Sequence, residues 1–194
     1  MQYNGYVLLP VNTYLAWRLA TLNNGFDADG YYGDQCWDLT AEFWYNNSFG
    51  TGYPQTGPNG AAWECWTNSR VVNAGNKFDL IYNLADVKQG DVLVYDQFSG
   101  NPYGHIGFAD EDYATWHANN PTSYEFPILS QNNQGTPYAG GGTYTNIHGY
   151  DTRLFLGAFR LKAWHPTPPP TPTSEKKKFP WVLYARKLRE RNMV

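Results

Sequence analysis

Two segments of this sequence carry side chains that could act together in nucleophilic chemistry, and the first contains Cys36. Cys36 follows a Gly- and Asp-rich stretch (27–34) at the predicted start of a helix. The amide dipoles at a helix N-terminus favour an anion, so we expect the pKa of this thiol to fall. The side-chain amide of Gln35, directly before it, can donate to a developing oxyanion. The alternative is a small buried hydrophobe, which is the usual state of a lone cysteine and the one that Cys65 fits.

The second segment is YGHIGFAD (103–110), in which His105 opens a predicted strand. The preceding glycine would leave open space at one face of the imidazole, as a substrate-binding site requires. Taken alone, such a histidine is more often a surface or packing residue. A cysteine at a helix start followed by a histidine on a later strand is nevertheless the order needed for a thiolate–imidazolium couple.

The elements that must position these groups follow from the spacing of apolar residues. Near the N-terminus the apolar residues recur at helical spacing, and Asn12 or Thr13 is the predicted N-cap of the first helix. Later in the chain the apolar residues recur at a spacing close to two, which is typical of strands. Helices followed by an antiparallel meander indicate the α+β class. We therefore predict helices over 12–22, 35–46 and 60–72, and strands over 90–96, 105–110, 124–131 and 154–162.

Three short motifs occur in an order that is characteristic of one family: GYYGDQCWDL, then KQGDVLVYD (88–96), then GHIGFA. Over roughly residues 10–162 the sequence resembles the CHAP domain, the cysteine- and histidine-dependent amidohydrolases and peptidases of phage endolysins and tail-associated lysins. The resemblance implies a papain-like fold with N-terminal helices packed on a twisted antiparallel sheet. It also implies Cys36 as nucleophile, His105 as general base, and an oxyanion hole formed by the Gln35 side chain and the Cys36 backbone N–H.

A third residue should orient the imidazole, and here the sequence departs from the family pattern. Similar members carry Glu-x-Asn on the strand after the histidine strand, whereas this chain reads Ser130-Gln131-Asn132. The resemblance implies that Asn132 holds the ring, as an amide does in papain-like enzymes. Ser130 replaces the carboxylate, and Asp110 and Asp112 are open as substitutes for it.

The stretch before Cys36 also predicts a calcium site. Asp27, Asp29 and the turn through Tyr31 present alternating oxygen ligands, and calcium takes six to eight oxygens. No Glu stands at the twelfth position, which excludes an EF-hand loop. The resemblance implies Asp27, Asp29, the Tyr31 carbonyl and Asp38 as Ca²⁺ ligands that hold the loop entering the Cys36 helix. The alternative is an ordinary Asx/Gly turn.

Charge divides the chain into two unlike parts. From residue 175 onward there are seven Lys or Arg and two acidic residues, whereas the remaining 174 residues carry seven basic and fifteen acidic ones. We therefore predict a catalytic domain over 1–164, an extended Pro/Thr-rich linker over 165–175 and a basic tail over 176–194. The tail is either solvated or contacts an acidic partner, such as a membrane surface, teichoic acid or another viral protein.

Composition limits the classes of function. Hydrophobic residues make up 42% and aromatic residues 18% of the 194 residues, which permits a packed core and excludes a wholly disordered chain. No apolar run is long enough to span a membrane, the start lacks the features of a signal peptide, and the acidic domain disfavours nucleic acid. Two cysteines are too few for a thiolate zinc cluster.

The resemblance and the composition together lead to three hypotheses of function. The first is a peptidoglycan hydrolase that cuts a wall amide bond, as endopeptidase or N-acetylmuramoyl-L-alanine amidase. It would reside in the host cytoplasm before release to the wall, or in the virion tail beside other phage proteins. The second is a wall-binding module that uses its aromatic surface, and the third is an inactive tail component that retains the CHAP fold.

Overall fold

A computed structural model describes residues 13–28, 33–46, 60–67, 77–132 and 144–165 of the chain. The named helices are α1 (Tyr14–Thr21), α2 (Cys36–Asn46) and α3 (Tyr113–Asn119). The strands are β1 (Phe78–Ile81), β2 (Val92–Tyr95), β3 (His105–Ala109), β4 (Glu125–Ser130), β5 (Asn146–Asp151) and β6 (Phe155–Leu161). The predicted α+β class is confirmed.

The six strands form one antiparallel sheet in the order β1-β6-β2-β3-β4-β5. Every residue of β2 and of β3 is buried, because these apolar runs lie in the middle of the sheet with other elements on both faces. β3 is paired with β2 on one side and β4 on the other, so His105 lies at the start of a central strand. A central strand is the most constrained position that a sheet offers for a functional side chain.

Aromatic residues make up nine of the 17 buried core residues on one face of the sheet and three of nine on the other. On one face, α1 and α2 pack their rings against β1, β3 and β6, with Phe43 of α2 centred 5.0 Å from Phe108 of β3. On the other face, Trp116 of α3 packs edge to face against Phe126 of β4. Such edge-to-face pairs add to the free energy gained by burying the rings. Among the residues that the structure describes, aromatic side chains therefore serve the core more often than an exposed surface.

Two of the predicted helices and all four predicted strands are present, with shorter boundaries. Thr13 is the cap of α1, since its hydroxyl accepts from the Ala16 amide at 3.2 Å. Of the third predicted helix, residues 64–67 are helical and 68–72 lie outside the described residues. The sequence did not predict α3, β1 or β5, because α3 has only seven residues and both missed strands lie at the edges of the sheet.

The end of the described chain belongs to the core. Trp164 places its ring 4.9 Å from that of Phe43 and 6.1 Å from that of Tyr14, centroid to centroid. The predicted linker and basic tail lie outside the described residues beyond His165. No helix within the described ranges is long and apolar enough to cross a bilayer.

Candidate active site

Cys36 is the first residue of α2, as the sequence predicts, but its electrostatic environment differs from the expectation. Burial raises the pKa of the Cys36 thiol to about 12, and the charge of Asp38 adds to this effect. Hydrogen bonds from the backbone of Ile106, Trp37 and Cys36 itself lower the pKa but do not offset burial. The expected low pKa is therefore wrong for this structure, because desolvation of a thiolate outweighs the helix amides. The thiol is protonated at neutral pH and needs a base to become nucleophilic.

The fold brings the Cys36 thiol to the strand that begins at His105. The thiol bonds to the backbone of Ile106, the residue directly after His105, and α2 packs against β3. The imidazole of His105 stacks on the ring of Tyr150 with centroids 4.5 Å apart and planes 11° from parallel. Burial, and then the charge of Cys36, raises the pKa of Tyr150 to about 12. Tyr150 therefore stacks on the His105 imidazole and is also influenced electrostatically by Cys36.

The glycine before His105 has a different role from the one expected. Gly104 has a φ of +64°, a conformation that favours glycine. A Cβ at this position would lie 2.5 Å from the carbonyl oxygen of Tyr95 and 2.9 Å from the Cβ of Trp63. The backbone geometry and the close approach of neighbouring chain account for this glycine, so it need not be attributed to substrate access.

Ser130 takes the place of the expected carboxylate beside the imidazole. The Nε2 atom of His105 lies 2.9 Å from the hydroxyl oxygen of Ser130, and both residues are buried. In the register set by Phe108 opposite Leu129, Ser130 faces Gly107. A Cβ on Gly107 would lie 2.7 Å from the Cβ of Ser130, so the absence of a side chain at Gly107 leaves room for Ser130. A hydroxyl in this position can fix the ring orientation without carrying a charge.

The two aspartates considered as substitutes for the carboxylate lie elsewhere. Asp110 follows the opposite end of β3 from His105, about 16 Å away at the rise of a strand. It accepts hydrogen bonds from the Tyr14 hydroxyl at 2.6 Å and from the Arg18 guanidinium at 2.7 Å. Asp112 accepts from the Lys88 ammonium and from the Gln89 amide. Neither aspartate orients the imidazole.

The side chain of Asn132 bonds to Gln35. Its Nδ2 donates to Oε1 of Gln35 at 2.6 Å. Gln131, between Ser130 and Asn132, is fully buried and donates its Nε2 to the carbonyl oxygens of Gln35 at 3.0 Å and of Phe26 at 2.9 Å. Sequence reasoning missed Gln131, and the only signal for it was its place inside the aligned Ser-Gln-Asn segment.

The loop before α2 contains the predicted calcium ligands, of which Asp29 and Tyr31 lie outside the described residues. Asp38 is buried, and its two oxygens accept from the Ala28 amide at 2.9 Å and the Gln35 amide at 2.8 Å. It thereby closes the first turn of α2, where a negative charge is stabilised by the helix amides.

Two other acidic residues of this loop, Asp27 and Asp34, interact electrostatically. Burial, and then the charge of Asp27, raises the pKa of Asp34. Among the residues that the structure describes, no three His, Cys, Asp or Glu side chains come together as a metal-binding group. The calcium site stays a prediction.

A cavity of about 770 Å³ borders His105 and extends along β4 and β5, a size that suits a small ligand or a short peptide segment. Phe98 and Tyr124 are exposed aromatic residues on it. Arg153 lies over the ring of Tyr124 and is paired with Asp151 at 2.6 Å. The lining is completed by Asn101, His105, Glu125, Asn132, His148, Gly149, Tyr150 and Leu154.

Comparison with known proteins places this arrangement in context. No protein-family model matches the sequence. A stretch of 101 residues, 52% of the chain, is 30% identical to the D-alanyl-L-alanine endopeptidase of Streptococcus phage B30 and covers 22% of that protein. The chain therefore matches only about a fifth of this relative.

Among solved structures, the endolysin LysIME-EF1 aligns with a TM-score of 0.57 and 24% sequence identity, over 79% of this chain and 64% of that one. The crystal structure of Ly7917 aligns with a TM-score of 0.48 and 18% identity, over 77% and 62% of the two chains. The chain shares its fold with LysIME-EF1 and spans less than two thirds of that chain.

Proposed function

We propose that the chain is a phage peptidoglycan hydrolase of the CHAP type that cuts a wall amide bond with Cys36 as nucleophile. The observation that carries this proposal is the Cys36 thiol at the backbone of the residue after His105, with the imidazole held by Ser130 at the border of a peptide-sized cavity. The sequence similarity to a phage endopeptidase and the shared endolysin fold support it. Before lysis the enzyme would reside in the host cytoplasm or in the virion tail.

The chemistry proceeds in two steps. His105 takes the thiol proton as Cys36 attacks the scissile carbonyl carbon, and the oxyanion accepts hydrogen bonds from the Gln35 side chain and the Cys36 backbone N–H. The C–N bond then breaks as His105 protonates the leaving amine. Water, deprotonated by His105, attacks the thioester and releases the carboxylate product, while the proton returns to the Cys36 sulfur.

The experiment that tests this proposal must identify which amide bond of the wall is cut. The name of the similar phage protein favours an endopeptidase over an N-acetylmuramoyl-L-alanine amidase. Purified Gram-positive walls should lose turbidity with the chain, and mass spectrometry of the released fragments should show a new amine and carboxylate within the peptides. An amidase would instead free the lactyl carboxylate of muramic acid. Tight wall binding with no released fragment would overturn the hydrolase and support the wall-binding alternative.

We also propose that Ca²⁺ binds the loop that enters α2. The effect of the Asp27 charge on Asp34 supports a cation there, because a bound cation would favour the charged forms of both carboxylates. Asp29, the Tyr31 carbonyl and Asp38 complete the ligand set implied by the CHAP resemblance, although the oxygens of Asp38 already accept two amide hydrogen bonds. Bound Ca²⁺ would hold the loop and take no part at the scissile bond.

Chelation is therefore expected to lower both thermal stability and activity. At a calcium concentration of 100 Kd the ion stabilises by about 2.7 kcal/mol, so EGTA should lower Tm by roughly 5–10 °C. Asp27→Ala should reproduce the loss and abolish the response to EGTA. Asp79→Ala, which removes an exposed ion pair with Lys162, is the matched control and should respond as the wild type does. A Tm that EGTA leaves unchanged would exclude the calcium site.

A further inference from the structure

The sequence predicts that one residue after the histidine strand orients the imidazole, whereas in the structure Ser130 and Asn132 contact two different groups. Ser130 reaches Nε2 of His105 at 2.9 Å, whereas Asn132, two residues later, donates to the Gln35 side chain at 2.6 Å. We infer that Asn132 is a positioning residue for the oxyanion donor Gln35 and not for the imidazole, an assignment that rests on the proposed function.

The backbone at Asn132 explains how its side chain is directed. Asn132 has a φ of +52°, in the left-handed region that asparagine tolerates better than most residues. β4 ends at Ser130, and this conformation turns the chain after the strand. The strand alternation that would otherwise give residues 130 and 132 a common direction therefore does not extend to Asn132.

The Gln35 backbone is fixed at both ends. Its N–H donates to Asp38 at 2.8 Å and its carbonyl accepts from the buried Gln131 at 3.0 Å. Gln131 is itself held by the Phe26 amide and by the Thr145 hydroxyl, at 2.9 and 3.1 Å. With the main chain fixed, the orientation of the Gln35 side chain depends on what holds its terminal amide.

Asn132 binds the terminal amide of Gln35 at the Oε1 atom of that amide. A glutamine amide carries its acceptor oxygen and its two N–H donors on opposite sides. Because Nδ2 of Asn132 binds Oε1 of Gln35, the donors of Gln35 face away from Asn132. A preorganised donor is what stabilises an oxyanion, since it does not have to rotate during the reaction.

Asn132→Gly tests the inference, because glycine keeps the left-handed backbone and removes only the amide. We expect kcat on a soluble cross-linked muropeptide to fall about tenfold with KM within about twofold. Asn132→Asp should lower kcat further, because a carboxylate accepts from Nε2 of Gln35 and turns the donor away. In a Gln35→Ala background, Asn132→Gly should cost less than about twofold.

Alkylation of Cys36 by iodoacetamide separates the two roles, because displacement at a saturated carbon forms no oxyanion. Asn132→Gly should leave the alkylation rate unchanged, whereas Ser130→Ala should slow it. If Asn132→Gly slows alkylation and turnover by the same factor, Asn132 acts through the thiol and the imidazole, and the inference is overturned.

A readout that needs no activity keeps the inference distinct from the proposed function. The side-chain ¹⁵N–¹H resonances of Gln35, assigned by their loss in Gln35→Ala, should shift or broaden in Asn132→Gly. Unchanged resonances would overturn the inference even in an active enzyme. Absence of Cys36-dependent wall hydrolysis by the wild type would instead overturn the proposed function and leave this structural result standing.

Discussion

Cys36→Ala is expected to lower the rate of wall hydrolysis by about 10⁴-fold or more. The sulfur forms the covalent bond to the substrate, and removal of a nucleophile leaves only binding and oxyanion stabilisation. The measurement is the loss of turbidity of purified walls, read together with the fragments released. The variant should fold, because it only replaces the thiol group by hydrogen at a helix start.

Cys65→Ala is the matched control for this prediction. Cys65 is fully buried in the core beside Trp66 and takes no part in the proposed chemistry. Its replacement should lower stability slightly and leave activity per folded molecule within about twofold of the wild type. Hydrolysis that survives Cys36→Ala, or that is lost equally in Cys65→Ala, would exclude Cys36 as the nucleophile.

Ser130→Ala is expected to lower kcat/KM by about 10²-fold. The reason is that the Ser130 hydroxyl contacts Nε2 of His105, and a ring that loses this contact is expected to spend less time aligned with the thiol. We expect a smaller loss than that caused by replacing a carboxylate partner, because a neutral hydroxyl orients the ring but does not stabilise the imidazolium by charge. The measurement is steady-state kinetics on a soluble muropeptide, with folding checked by circular dichroism.

Gly107→Ala gives an independent test of the same contact. It keeps the Ser130 hydroxyl but inserts a Cβ 2.7 Å from the Cβ of Ser130, so Ser130 is expected to shift from its position beside the ring. Its kcat/KM should fall in the same direction as that of Ser130→Ala. Ser123→Ala, which removes a hydroxyl that accepts from the Glu125 amide, is the control and should stay within about twofold. Wild-type kinetics in Ser130→Ala would show that the ring is oriented by another group.

The serine beside the imidazole differs from the carboxylate of the CHAP domains that the sequence resembles, and this difference has a mechanistic consequence. Burial raises the pKa of the Cys36 thiol, and the hydroxyl of Ser130 supplies no charge to help form the imidazolium. The couple is therefore expected to rest as thiol and imidazole and to transfer its proton as the substrate is attacked. Alkylation of Cys36 should accordingly rise with pH through the neutral range, because the thiolate fraction grows as pH approaches the raised pKa.

The sequence was informative where the signal is local. Apolar runs predicted the central strands β2 and β3, and the polar residues before an apolar period predicted a cap of α1 at Asn12 or Thr13, of which Thr13 is the cap. The same kind of pattern placed Cys36 at a helix start and His105 at a strand start. It failed for β1 and β5, because edge strands need not be apolar on both faces and NIHGYD lacks a clear alternation.

The sequence by itself determined the α+β class, the positions of Cys36 and His105 on their elements, and the candidate role of Gln35. Only the tertiary structure decided that Ser130 contacts the imidazole, that Asn132 contacts Gln35 and that the thiol is desolvated. Helix and strand propensities act over a few neighbouring residues. The decisive contacts join residues 25 to 97 positions apart, and they depend on strand register, on one left-handed residue and on burial by the assembled core.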